Sequence, residues 1–294
     1  MTQLNFIITF VFCKIDDYFR SRWPKMHREG RKEKMSDSEI LTMMVVGNLM
    51  GLRYENRILQ WFKNLFPDDF HYLSQSQLNR RLQGLTHQIK IFFRYIAKKF
   101  FTDSSDLQFV DSTDLAVCKN THIVTGYKRF SDRISKGYKA SKKLFFTGVK
   151  LHCFVNRRGQ SINFGITKAN IHDLPAFKKI KTKQKGISYV ADKAYIDEKL
   201  NISIQKKYDQ QVIAPTRINQ AVKNSAYAKK LLRERQKVEQ GYSVEKTYIG
   251  LDVQESKCFS GLLKTLSIKM LSFSFLTLVN EAISRPLYSF FPFL

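Results

Sequence analysis

Three acidic residues in this 294-residue chain stand where a carboxylate would do chemistry. Asp111 closes the apolar run Leu107-Gln-Phe109-Val110, which has the character of a short buried strand. A carboxylate at the end of such a strand is costly unless a base or a metal ion meets it. The same Asp-Ser-Thr sequence also suits an ordinary strand cap or turn. Asp192 follows a second run of this kind, Ile187-Ser-Tyr-Val-Ala191. In open α/β sheets ligands gather at the carboxyl ends of strands, so neighbouring strands would present Asp111 and Asp192 to one point. Two carboxylates so placed repel unless a proton or a cation lies between them. Hard oxygen donors favour magnesium or manganese.

The third carboxylate, Glu239, falls in a segment read as one long helix starting near Ser225. At about 100° per residue, Arg235, Glu239 and Lys246 lie within about 40° of one another. One face would then offer a metal ligand between two phosphate-binding cations, with Glu234 and Glu245 pointing elsewhere. An ordinary salt-bridged surface helix has the same spacing.

The elements that must position these groups follow from the patterning. Residues 1 to about 100 read as helices, among them Arg53–Leu65 and Gln88–Phe100. Ser36-Asp-Ser-Glu39 is a capping box, and Ser74 or Ser76 caps a short helix over 77–83. That short helix carries Asn79, Arg80 and Arg81 beside Gln75 and Gln77, side chains that read base edges in a helix-turn-helix. Many solvated helices share this composition. From 107 the period changes to strands at 143–155 and 160–167, joined by the turn Asn156-Arg-Arg-Gly159 as an antiparallel hairpin. A helix at 174–180, the strand 187–191, a helix at 197–207 and a strand at 211–214 follow. The class is α/β, a mixed sheet with flanking helices after an all-helical N-terminal region. The expected domains are 1–103 and 104–294, the latter with a helical C-terminus.

Lys and Arg number 50 against 25 acids, a formal net charge of +25. That excess is far more than solubility needs and favours a polyanionic partner, nucleic acid ahead of an anionic membrane. The content of apolar residues, 43%, excludes wholesale disorder. The longest apolar runs, Phe6–Cys13 and Met270–Val279, fall short of the roughly 18 residues of a membrane span. The first lacks the basic leader and small-residue cleavage site of a signal peptide. Cys13, Cys118, Cys153 and Cys258 show no paired spacing, which argues against a zinc site or disulfide framework and fits a reducing cytoplasm.

Taken together, Val110-Asp111-Ser112, Gly148-Val-Lys150-Leu-His152, Thr167-Lys-Ala-Asn170-Ile-His172-Asp173, Ala191-Asp192-Lys-Ala-Tyr195 and Arg235-x3-Glu239-x6-Lys246 resemble the catalytic domain of bacterial insertion-sequence transposases of the Asp-Asp-Glu class. The stretch from Ser36 to Arg81 resembles the N-terminal part of one compact branch of them. The resemblance implies a ribonuclease-H-like fold and a metal triad of Asp111, Asp192 and Glu239 holding two Mg2+ or Mn2+ ions. It further implies Arg235 and Lys246 on transposon-end DNA. Lys150 and His152 are candidates for DNA contact, and His172 and Asp173 for supporting the carboxylates. The implied activity is cleavage at terminal inverted repeats and strand transfer into double-stranded target DNA. The enzyme would work as a homo-oligomer on DNA, without a membrane, at the bacterial nucleoid. Leu232 stands where such enzymes often have Tyr, Ala191 where they have Gly, and Asp252, Glu255 and Lys257 where they tend to be Arg-rich. A nuclease without strand transfer and an inactive DNA-binding remnant are the rival readings.

Overall fold

The computed structural model describes residues 2–22, 33–101, 106–118, 129–130, 132–139, 143–216, 224–252 and 256–291. Its elements in chain order are α1 (Gln3–Arg22), α2 (Asp37–Leu49), α3 (Glu55–Leu65), α4 (Gln75–Gly84) and α5 (Thr86–Phe100). Then come β1 (Leu107–Cys118), β2 (Ser135–Lys139), β3 (Leu144–Asn156), β4 (Ser161–Lys168), α6 (Asp173–Ile180) and β5 (Ser188–Val190). The last are α7 (Glu198–Tyr208), β6 (Gln211–Ile213), α8 (Ala226–Glu234), α9 (Gln236–Thr247) and α10 (Phe259–Ala282).

The chain divides into two compact units. The first takes Met1–Ile96 together with Val244–Val253 and Ser260–Leu294, segments that a division at 103/104 places with the catalytic half. Its core holds two helices that are apolar all round, α2 and α10, and such helices are stable only when enclosed. Asn48 of α2 donates through Nδ2 to Ser272 Oγ of α10 at 2.9 Å. Within α10 the hydroxyls of Ser267, Ser272 and Ser274 donate to carbonyls one turn back, so these three need no water. By length and composition α10 is long and apolar enough to cross a membrane, a length not apparent from the apolar run 270–279 alone. Of its most apolar stretch, 89% is buried within the fold.

The expected caps are present. Ser36 accepts from the Glu39 N–H at 3.1 Å while Glu39 returns to the Ser36 N–H, and Ser74 and Gln77 do the same at the start of α4. The segment joining α3 to α4, residues 66–74, is longer than the three or four residues of a helix-turn-helix turn.

The second unit, Ala97–Ser243 with Gln254–Phe259, is built on a sheet of order β2-β3-β1-β5-β6, with β4 also paired to β3. β3 uses 144–148 for β2 and 149–155 for β4, so one strand edge serves two partners in succession. β1, β3 and β4 are antiparallel, whereas β1, β5 and β6 run parallel. The β3–β4 turn closes with Gly159 N–H to Asn156 C=O at 2.9 Å, and its φ of +92° is one glycine adopts without strain. On one face Val110, Phe154, Phe177, Tyr189, Ala191 and Tyr195 form a core cluster that seats α6.

Three features differ from the sequence reading. β2 is an added strand, because Ser-Lys-Gly-Tyr-Lys lacks the apolar alternation that marks one. Asp111 does not end its strand: β1 continues to Cys118, since the polar residues after Asp111 find a full ladder on β3 that outweighs their turn preference. What ends near Asp111 is the pairing with β5, whose last register pair is Phe109–Val190. The helix after Ser225 is two helices, broken by a turn at Arg235, where the Val238 N–H bonds the Arg235 C=O.

In the helical unit Lys264 is buried, with Nζ 2.5 Å from Glu55 and 2.8 Å from Asn79 Oδ1. Lys264→Met would leave Glu55 without its cation and is expected to cost about 2 kcal/mol. A urea transition followed by helical ellipticity would show it; an unchanged midpoint would mean that the ion pair is energetically idle.

Candidate active site

The sheet register brings the first two carboxylates to the same level. Phe109 pairs with Val190 across parallel strands, and each chain delivers an aspartate two residues later, Asp111 and Asp192. β1 stays in the sheet through Asp111, while the other chain leaves at Asp192 to cap the 3-10 turn Lys193–Tyr195, its Oδ1 accepting from the Lys193 N–H. Asp111 is thus held by a ladder and largely buried, whereas Asp192 is exposed at a turn.

Glu239 reaches this point through Arg235. The Arg235 guanidinium lies 2.8 Å from Glu239 Oε1 and 3.4 Å from Asp111 Oδ2. The break between α8 and α9 falls at this arginine. Burial raises the Asp111 pKa to about 6; Arg235 and the Ser112 N–H oppose the rise, and Glu239 and Asp192 add to it. Asp111 and Glu239 therefore share one guanidinium, which does not offset the burial of Asp111.

The neighbouring acids are engaged elsewhere. Glu234 makes a two-pronged pair with Arg157, at 3.0 Å from both Nε and Nη2, which lowers its pKa. Glu245 is buried in the helical unit, where desolvation raises its pKa to about 8.

Alternation along β1 sends Ser112 and Asp114 to the face opposite Asp111. There Asp173, the first residue of α6, accepts from Ser112 Oγ at 2.9 Å and from Lys150 Nζ at 3.3 Å. His152, register partner of Ser112, is buried with Nε2 2.8 Å from Thr167 Oγ1, and burial lowers its pKa to about 4. It is a neutral ring at pH 7, unsuited to pairing a phosphate by charge. His172 is the exposed N-cap residue of α6 and makes no side-chain capping bond. Tyr195 is buried beside Ser112; desolvation first, then Asp173, Asp111 and Asp192, raise its pKa well above the ordinary value. Its hydroxyl stays a donor and makes no well-formed hydrogen bond.

The structure thus gathers Asp111, Asp192, Glu239 and Arg235, with Lys150, Asp173 and Tyr195 close behind. Lys246 lies two turns past Glu239 on α9, in the segment that belongs to the helical unit. In that unit Arg81 is tied to Asp37 and to Glu33, Asn79 to Lys264, and Arg80 is exposed. Glu255 lies outside the described residues. Sequence reasoning missed Tyr242, whose hydroxyl bonds the Asp111 carbonyl at 2.8 Å. Its place three residues after Glu239, on the same helical face, was the available signal.

A site of three carboxylates offers the hard oxygen donors that magnesium or manganese requires. Among the described residues, however, no three acidic, histidine or cysteine side chains stand close enough to share one ion. The obstacle is specific: the cation now touching Asp111 and Glu239 is Arg235. The donors fit a divalent ion by chemistry, and the charge deficit at Asp111 favours it, once the guanidinium gives way.

A family model described as "Transposase DDE domain" matches residues 101–253, just over half of the chain. No curated protein and no solved structure gives a match. The six-stranded mixed sheet, with β1 to β4 joined antiparallel and β5 and β6 parallel to β1, and with helices against it, is the ribonuclease-H-like arrangement expected for such a domain.

Because its pKa is higher in the folded chain than in the unfolded one, Asp111 makes the fold less stable as pH rises from about 4 through about 6. Asp111→Asn removes that penalty. Without divalent ions at pH 7.5 the variant should be more stable by up to about 3 kcal/mol. Added manganese should raise the melting temperature of the native chain only. Calorimetry tests this, and equal melting curves at pH 7.5 would contradict it.

Proposed function

Since the chain belongs to the family of transposases with a DDE domain, we propose that Asp111, Asp192 and Glu239 are its metal-binding triad, cutting DNA at the ends of a mobile element and joining them to a target. The observation that carries this reading is the matched register of Asp111 and Asp192 on parallel strands, with Glu239 linked to Asp111 through a shared arginine. Two divalent ions bound to these carboxylates would supply Lewis-acid stabilisation at a scissile phosphate and an activated water or 3′-hydroxyl. Asp111, which the ladder holds in place, and Asp192 and Glu239, both exposed, would be the side chains that hold these ions.

The remaining groups act on charge and orientation. Arg235, once released from the carboxylates, is a guanidinium at the mouth of the site, matched to a phosphate by its fork of donors. Asp173 and Lys150 neutralise each other across the sheet and hold Ser112, the residue after Asp111. Tyr195 offers an O–H to whichever nearby carboxylate is ionised. The +25 charge provides the general attraction for the DNA backbone, in which Lys246 and Arg80 take part. Recognition of terminal inverted repeats falls to the helical unit, and paired ends call for a homo-oligomer.

Two substitutions separate binding from chemistry. Asp192→Asn keeps the side-chain size but loses a ligand charge, so magnesium-dependent nicking of labelled end DNA should vanish while gel-shift binding persists or tightens. Arg235→Ala leaves three carboxylates and should weaken engagement of the end and slow nicking, with metal binding retained. Both assays belong at one fixed salt concentration, because phosphate-driven binding falls by orders of magnitude as salt rises. Wild-type nicking by Asp192→Asn would end the metal-triad reading.

A further inference from the structure

The Tyr242 side chain leaves α9 and ends in the seam between β1 and β3. Its hydroxyl donates to the Asp111 carbonyl at 2.8 Å, with the Leu151 carbonyl as a longer acceptor at 3.4 Å, and accepts from the Cys153 N–H at 3.1 Å. Asp111 and Cys153 are register partners, so the phenol stands between the two strands at the one pair that carries the buried carboxylate. Both functions of the hydroxyl are engaged by main chain, which fixes the side chain in one orientation. Only 7% of the residue is exposed. Tyr189, a core tyrosine of the same unit, shows the ordinary case: its hydroxyl reaches the Thr182 carbonyl at a marginal 3.5 Å.

Glu239 lies three residues before Tyr242 on α9, and residues so spaced share a face. One connected path therefore runs from Glu239 through a single helical turn and an aromatic ring to the Asp111 backbone. The other link between these acids is Arg235, an ion pair that a metal would have to displace. The Tyr242 link is made to main chain and does not depend on the charge of either carboxylate.

We propose that Tyr242 is a positioning residue that sets the spacing of Asp111 and Glu239 when Arg235 leaves them, so that the two acids remain a pair for a divalent cation. The proposal rests on the triad reading above. Its removal leaves the Asp111 carbonyl and the Cys153 N–H in the seam without the group that joins them, and the two acids free to drift apart.

The test is manganese binding to the full chain by titration calorimetry, in the wild type and in Tyr242→Phe, Asp111→Asn and Tyr189→Phe. Loss of a supporting partner typically weakens metal binding about tenfold or more, and that loss is expected for Tyr242→Phe. Tyr189→Phe, which also removes one buried hydroxyl, should bind manganese as the wild type does. For nicking of end DNA, Tyr242→Phe should lower kcat and leave KM unchanged. In parallel, the chain has four cysteines, so selective 15N-cysteine labelling follows the Cys153 amide among few signals. Its exchange with deuterated water should be faster in Tyr242→Phe, and in the wild type it should slow on adding magnesium, which is diamagnetic and leaves the signal visible. If Tyr242→Phe fails to fold, the wild-type measurement decides: a Cys153 amide indifferent to magnesium overturns the proposal. Wild-type manganese affinity in a folded Tyr242→Phe, with Asp111→Asn deficient, overturns it and leaves the triad standing. Wild-type affinity in Asp111→Asn removes the triad reading and the proposal together.

Discussion

A carboxylate taken largely out of water at Asp111, with Glu239 and Asp192 near enough to oppose its ionisation, has to be met by positive charge. Much of the catalytic unit answers that requirement. Parallel pairing of β1 with β5 stops at Phe109–Val190, which opens the sheet where the two aspartates emerge. The helix that brings Glu239 is interrupted at Arg235, the residue whose guanidinium spans Glu239 and Asp111. Burial outweighs the pull of that arginine, and the pKa of Asp111 stays high in consequence. The arrangement is stable enough to fold and still electrostatically incomplete.

The two faces of β1 divide the work. On the Asp111 side Arg235 makes an ionic contact with the carboxylate, and Tyr242 of α9 bonds the main chain. On the Ser112 side they are a closed polar set of Asp173 and Lys150, above an aromatic cluster of Phe154, Phe177, Tyr189 and Tyr195. Charges satisfied in this way resist rearrangement, because breaking any one leaves another group desolvated. The rigid face thus backs the face on which charge must be exchanged. Tyr195, whose ionisation both Asp173 and Asp111 oppose, is where the two are in electrostatic contact.

The strands and helices legible in the sequence were those whose pattern is local. Alternation from Val149 to Val155 corresponds to β3, the apolar run before Asp192 to β5, and Ser36, Ser74, Asp197 and Ser225 all cap helices with their side chains. Features set by distant partners were not legible. β2 exists because β3 offers it an edge, and β1 runs past Asp111 because β3 lies beside it. The residues of the candidate site were visible as three acids with suitable neighbours. The locking of Arg235 between two of them was not, since nothing in the spacing says which face of a helix meets which strand. Likewise Asn79 and Arg81 read as groups for base edges, yet their partners Lys264, Glu33 and Asp37 come from elsewhere in the helical unit. Tyr242 was hidden because a tyrosine on a helix usually signals only packing.

The helical unit is assembled from both sides of the catalytic one along the chain, and that ordering bears on how the protein is made. α2 packs against α1, α3 and α4, which are made early, but the buried amide of Asn48 waits for Ser272 of α10. A ribosome adds about 5–20 residues per second, so the interval between Leu49 and Ala282 is on the order of ten to fifty seconds. In its last part, once Ile213 has been added, the sheet of β1 to β6 has every strand it needs while Asn48 still lacks its partner on α10. The catalytic half is therefore the natural first product of cotranslational folding. The N-terminal helices complete their polar contacts last, when the final long helix arrives.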